Sequence, residues 1–324
     1  MRTGVVVTGM DRSGTSATAR LIALLGLHPP AATDLVAARD TNPTGVWESR
    51  SLASLNVRLL QAVGSDERFP LVLEPGWERD TRLDSSRAEA REAFGRSFPA
   101  TPWVWKDPLH CLVLSFWRDV LADPLAVVLV TRNPLEIAAS AERAWGREKI
   151  FGLALWERYL RQALWQIEGL PVLVTRYADV VDDPVAWARR TSAALGDAGV
   201  AVRGYSEEAV RAAVDTSLRH TEFTVDDLER DRDISVAQRE LFEVLSASEG
   251  MHERFVAPAL SDETPTTDAL LSERRRTFDV KERLEAALEE ERRARRPSRL
   301  RGLAQKHDGR RRWFAMRGAR RELD

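Results

Sequence analysis

Along its first 220 residues the chain alternates between short uninterrupted apolar runs and longer stretches whose apolar positions recur at helical spacing. Val5-Val6-Val7 is the first run, and three valines in a row suit a strand buried on both faces of a parallel sheet. It passes through a turn bounded by Gly9 and Gly14 and leaves into Ala17, Leu21, Leu24 and Leu25, with Gly26 as the stop. Further strands are expected at Leu71–Leu73, Trp103–Lys106, Ala126–Val130 and Leu170–Thr175. The intervening patterns are helical: Leu52, Leu55, Leu59 and Leu60; the polar stretch Asp80–Phe94; and Phe151–Ile167, with Trp156, Leu160, Ala163, Leu164 and Ile167 on one face. Helices then run through Leu195 and over Ala209–Val214, and the readable pattern ends at Ser217-Leu218-Arg219-His220. This order predicts an α/β fold: a P-loop-like parallel sheet with helices on both faces.

Beyond about Pro258 the pattern changes. Residues 1–260 are expected to form the main domain, and 261–324 a linker, a charged helix and a basic tail. The linker is Ser261–Asp268, with Pro265 inside it, and the helix covers Leu270–Ala294 as an exposed helix or short coiled coil that Pro297 ends. From Pro297 to Asp324 there are nine Lys/Arg against three Asp/Glu, interrupted by Trp313, Phe314 and Met316. That composition reads as a solvated tail, with peripheral membrane or protein contact as the sharper reading.

Composition adds mostly exclusions. A chain of 324 residues, 44% hydrophobic and 30% charged, suffices for one large α/β domain. A formal net charge of -2 does not suggest nucleic acid as a partner. Cys111 is the single cysteine, so no intrachain disulfide and no cysteine-based metal site is expected. The N-terminus enters a strand directly and no run approaches a membrane span, so a soluble cytoplasmic protein is expected.

Candidate chemistry gathers where strands end. In Gly9-Met10-Asp11-Arg12-Ser13-Gly14-Thr15-Ser16 a strand turns through glycines into a helix, whose free first-turn N–H groups and dipole favour an anion. Arg12 adds a full charge and up to five donors. The spacing matches the nucleotide P-loop except that Thr15 stands where its lysine would be, so the loop suits a phosphate better than a triphosphate. A second apolar run ends in Thr131-Arg132-Asn133-Pro134, where Asn133, Pro134 and Glu136 have the order of a capping box. Arg132 and Ser140 could both reach an anion there, although each alone would also suit an ordinary surface. Lys106 falls at a strand's C-terminal end, followed by Asp107 as N-cap and Pro108 as first helical residue, and such strand ends are where open α/β sheets bind ligands. Glu48 lies just before a helix; by position it is either a carboxylate favoured by the dipole or one that faces the phosphate site.

Together these stretches resemble the PAPS-dependent sulfotransferase family, which takes a sulfuryl group from 3′-phosphoadenosine 5′-phosphosulfate (PAPS). Arg12-Ser13-Gly14-Thr15-Ser16 looks like its 5′-phosphosulfate loop, and Arg132 with Ser140 eight residues later looks like its 3′-phosphate motif. Lys106-Asp107-Pro108 is similar to a segment of the bacterial and tyrosylprotein members, and Arg176-Tyr177-Ala178-Asp179 resembles the segment near the adenine. The resemblance covers roughly residues 3–220. It implies PAPS bound by Arg12, Ser13, Gly14, Thr15, Ser16, Arg132, Ser140 and Tyr177, no metal, and 3′,5′-ADP as product. The histidine used as base in small-molecule members, two residues after a lysine, is replaced by Pro108, so the resemblance passes that role to Glu48, with Lys106 and Arg12 stabilising charge on the leaving oxygen. Departures are Ala17, where small-molecule members carry an adenine-stacking tryptophan, and the missing Arg-Lys-Gly motif, for which Arg219 is a weak substitute. These departures favour the carbohydrate-like or bacterial branch, and by analogy with it the acceptor is expected to be a hydroxyl (or amine) of a glycan or glycolipid, enclosed by loops at Thr41–Glu48 and Gly146–Phe151. Two rivals stay open: a P-loop kinase of a small metabolite, and a non-catalytic protein working through its C-terminal helix.

Overall fold

The structure is a computed structural model and describes residues 4–37, 45–215 and 222–295. Thr41–Thr44, Arg219 and the basic tail therefore lie outside the described residues. Two compact units divide at Ser272 and Glu273.

The first unit is built on a five-stranded sheet of β1 (Gly4–Thr8), β2 (Trp103–Lys106), β3 (Leu125–Thr131), β4 (Val172–Arg176) and β5 (Gly250–His252). Their order is β2-β1-β3-β4-β5. The first four strands pair in parallel as expected, whereas β5 is an antiparallel edge that the sequence pattern did not reveal. It is three residues long, too short to display a period of two. Leu71–Leu73 is not a strand. Leu71 and Val72 are exposed, and the Leu71 and Leu73 N–H groups donate to the side chains of Ser65 and Gln162 instead of to a ladder.

Helices cover both faces, because each strand sends alternate residues to opposite sides. Val5, Val7, Val128 and Val130 face one core, packed by α1 (Thr15–Leu24), α7 (Tyr177–Asp182), α8 (Pro184–Asp197) and α9 (Glu207–Ala213). Val6, Trp105, Val127 and Leu129 face the other. That side is packed by α2 (Arg50–Ala62), α3 (Asp84–Ser97), α4 (His110–Leu121), α5 (Pro134–Trp145), α6 (Lys149–Gln166) and α11 (Val236–Ala247). Trp103, Trp105 and Trp117 are almost wholly buried there, with Trp105 and Trp117 edge-to-face at 4.7 Å. The described chain also contains α10 (Val225–Arg230), α12 (Thr267–Arg295) and two single-turn 3-10 helices, Trp77–Arg79 and Thr81–Leu83.

The start of α4 differs from expectation. Asp107 still accepts the Leu109 N–H at 2.9 Å, but Asp107–Leu109 form a turn and regular helix begins at His110. The polar linker is hydrogen-bonded to the body. Glu157 on α6, fully buried, accepts from the Thr264 N–H at 2.9 Å, the Thr267 hydroxyl at 3.3 Å, Gln238 and Arg161. Its neighbour Arg158 donates to Glu263 and Asp268, each at 2.7 Å, and to the Pro70 carbonyl. Buried charges of this kind persist because they are paired and multiply hydrogen-bonded. The second unit, residues 273–324, contains the charged continuation of α12, on which Val280, Leu284 and Leu288 are exposed.

Replacing Glu157 with alanine would orphan four donors, so Glu157→Ala is expected to cost about 2–4 kcal/mol. Urea unfolding measures that loss, and limited proteolysis should then cut first within residues 261–268.

Candidate active site

Parallel pairing sets the site. Val7 pairs with both Lys106 and Val128, so the C-terminal ends of β1, β2 and β3 lie side by side. Everything that follows those ends converges on one edge of the sheet.

After β1 the chain makes the glycine-bounded loop. Gly9 has φ 145° and Gly14 φ 91°, both in the region that favours glycine. Glycine at 14 is also required by space: a Cβ there would lie 2.0 Å from the Tyr177 ring. Arg12, without glycine's freedom, has φ 70°, a conformation that costs about 1–2 kcal/mol. Gly14 starts α1 with no side-chain cap and no acidic residue in the first turn, an electrostatic setting that favours an anion. Ser13 serves the loop itself, its hydroxyl and N–H both donating to the Met10 carbonyl, at 2.6 and 3.1 Å. Thr15 is buried, and the Ser16 hydroxyl donates to the Val46 carbonyl at 3.0 Å.

After β3, Asn133 caps α5 through the Leu135 N–H with Pro134 behind it, as expected. Glu136 does not close a capping box. It is buried, accepts from Arg132 Nε at 2.7 Å and from the Phe223 N–H at 3.3 Å, and so holds the arginine in place. Arg132 also donates to the Arg12 carbonyl at 2.9 Å and lies 4.3 Å over the Tyr177 ring. Arg12 Nε donates to the Ser140 hydroxyl at 3.0 Å. The two anion sites read from sequence are thus one connected site, with Tyr177 as a largely buried wall behind Gly14.

Cations crowd this edge. Burial lowers the pKa of Arg12 from its ordinary value; Asp11 opposes the shift, and Arg132 and Arg143 add to it. Arg143 was not picked out from sequence, although Glu136, Ser140 and Arg143 share one face of α5 at i, i+4 and i+7. Trp145 was also missed, whereas Arg147 lies in the Gly146–Phe151 loop expected to enclose the acceptor. The Arg12 and Arg147 guanidinium groups lie 5.5 and 4.8 Å from the Trp145 ring, and Arg147 also approaches Phe151. Next to them Lys149 is clamped by Asp231 and Asp233 at 2.6 and 2.9 Å, which pins the loop before α6.

Lys106, at the end of β2, is almost wholly buried and forms an ion pair with Glu48, which remains partly open to solvent. Glu48 is held from behind. Its carbonyl accepts the Val36 N–H at 2.9 Å, and Ser49 caps α2 through Leu52 N–H. The Asp34 carboxylate in turn takes the hydroxyls of Ser49, Ser51 and Ser97 and the Ser51 N–H. Burial alone would raise the pKa of Asp34, but these donors outweigh it and bring it below the usual value. Glu48 is therefore outside the cap and directed at Lys106, not a first-turn acid of α2. Cys111 and His110 lie beneath as packing residues: burial pushes the thiol up to about 12 and, with Lys106 nearby, the imidazole down to about 3.

Gly14→Ala is expected to combine a left-handed backbone with a clash against Tyr177, costing about 2–4 kcal/mol. Thermal unfolding measures that loss.

No family model and no curated protein matches the chain. Among solved structures it is similar to the sulfotransferase STF1 from Mycobacterium tuberculosis H37Rv, at 19% identity over 75% of this chain and 76% of that one, with a TM-score of 0.39. It is also similar to retinol dehydratase in complex with androsterone and the inactive cofactor PAP, at 14% identity over 87% and 81% of the two chains, TM-score 0.33. A third is the sulfotransferase domain of the Synechococcus PCC 7002 olefin synthase, at 16% identity over 86% and 95%, TM-score 0.31.

Proposed function

We propose that the protein is a sulfotransferase that moves a sulfuryl group from PAPS to an acceptor hydroxyl or amine. The observation that carries this reading is the connected pair of anion seats. The loop before α1 suits one phosphosulfate, Arg132 and Ser140 suit a second phosphate, and the hydrogen bond from Arg12 to Ser140 joins them. A nucleotide with two separated anionic ends uses both seats, whereas a triphosphate would need the lysine that Thr15 replaces. Backbone N–H groups of Gly14, Thr15 and Ser16 would hold the phosphosulfate. Arg132, Ser140 and Arg143 would hold the 3′-phosphate, with Tyr177 walling the nucleotide side. Ser13 shapes the loop.

The reaction is an in-line displacement at sulfur. Glu48 takes the acceptor proton, the acceptor oxygen bonds to sulfur, and the bridging S–O bond breaks with its electron pair passing to the phosphate of 3′,5′-ADP. Lys106 and Arg12 face the charge that builds on that leaving oxygen. The Lys106–Glu48 ion pair supports this division of labour, because it puts a proton acceptor and a charge stabiliser beside each other at the sheet edge. A glycan or glycolipid acceptor follows from the branch that the motifs resemble, and the site at the strand ends needs no membrane span: no described helix is long and apolar enough to cross one.

Glu48→Gln should lower kcat by about 10²–10⁴-fold and leave 3′,5′-ADP affinity within a few-fold of the wild type. Retained turnover would remove Glu48 as the base. Arg132→Ala should weaken 3′,5′-ADP binding by about ten- to a hundred-fold. Tighter binding of ATP with Mg²⁺ than of 3′,5′-ADP to the wild type would favour the kinase reading instead.

A further inference from the structure

Behind the Lys106–Glu48 pair lies a second carboxylate that the reaction above does not use. Asp107 directly follows Lys106 and is almost wholly buried. Its Oδ2 accepts from Asn56 Nδ2 at 2.8 Å and its Oδ1 from the Leu109 N–H at 2.9 Å. Asn56 is itself buried on α2, where it interrupts the apolar row of Leu52, Leu55, Leu59 and Leu60. Its Oδ1 accepts from Trp117 Nε1 at 2.7 Å. The direction of this chain is forced: an indole N–H can only donate, so the Asn56 oxygen must face Trp117 and its amide hydrogens must face Asp107. Two donors aimed at a buried carboxyl favour its charged form.

Resting on the sulfotransferase reading, we propose that Asp107 is a positioning residue, the standing counter-ion of Lys106, oriented by the Trp117–Asn56 chain. The need arises during turnover. In the resting enzyme the buried Lys106 ammonium is paired with Glu48. Once Glu48 takes the acceptor proton it is neutral, and a buried ammonium without a counter-charge is costly. Asp107 supplies that charge from behind while Lys106 faces the leaving oxygen. The two carboxylates also read one another. Burial, and then the charge of Glu48, push Asp107 up to about 7, against the opposing Leu109 N–H, Lys106 and Asn56. Protonating Glu48 removes one of the two raising influences, so Asp107 holds its charge more firmly at the step that needs it. The other titratable groups around Asp107, His110 and Cys111 on α4, stay neutral across this range.

Two readouts test this, one without activity. The native state keeps the Asp107 proton to higher pH than the unfolded chain, so Asp107 contributes stability that is lost as pH rises from its ordinary range towards about 7. Thermal unfolding across that range should show this loss in the wild type and not in D107N. E48Q should end the loss at lower pH. W117F frees Asn56 to turn its oxygen towards Asp107 and should carry the loss to higher pH, by about one pH unit. In sulfuryl transfer, W117F should move the acid limb of kcat upward by the same amount, an activity loss of about tenfold at the foot of the limb, with KM for PAPS unchanged. A purely structural tryptophan would lower kcat equally at every pH.

Coincident unfolding profiles for wild type, E48Q and W117F would overturn the proposal, even if D107N fails to fold. So would an unmoved acid limb in W117F. A wild type that transfers no sulfuryl group at any pH would sink the sulfotransferase reading, while the unfolding profiles would still decide the coupling of Asp107 to Glu48.

Discussion

The parallel pairing of β1 between β2 and β3 is the constraint on which the rest depends. It buries Val5, Val6 and Val7 on both faces and aligns three strand ends at one edge. The loop before α1, Lys106 and Arg132 are far apart in sequence, at about residues 12, 106 and 132, yet each is delivered to that edge by its own strand. Shifting any register by one residue would exchange the side chains that the two cores pack and part the site at the same time. Stability and site geometry therefore have the same origin.

Charge is handled differently in the two halves of this edge. Around the loop, cations gather: Arg132 and Arg143 both act on Arg12, and Glu136 fixes Arg132. A cluster with this surplus favours a polyanionic ligand. Around Lys106 the balance reverses, with the buried ammonium paired to Glu48, which stays partly open to solvent, and the buried Asp107 next to it in the chain.

The body of the protein spends much of its polar material on holding these parts still. The Asp34–Ser49–Ser51–Ser97 cluster fixes the entry to α2, the Asn56–Trp117 bridge ties α2 to α4, and Glu157 with Arg158 straps residues 263–268 to α6. These groups would be costly if unpaired, so each network specifies one arrangement of the helices around the sheet.

By itself the sequence determined the apolar runs that became β1 to β4, the glycine loop, the Asn133–Pro134 helix start and the strand-end placement of Lys106 and Arg132, because strand burial, glycine angles and caps are local effects. The same local logic misplaced Leu71–Leu73, whose apolar residues lack a partner strand, and missed β5, too short to show a period. It also read Glu136 as half of a capping box, although burial beside Arg132 gave it a different partner. Tertiary structure alone decided that Glu48 meets Lys106 across 58 residues, that Arg12 reaches Ser140 across 128, and that Asp107 is bound by Asn56. An arginine, a glutamate or an asparagine carries no mark of its partner until packing excludes water and leaves one charge or one lone pair to answer another.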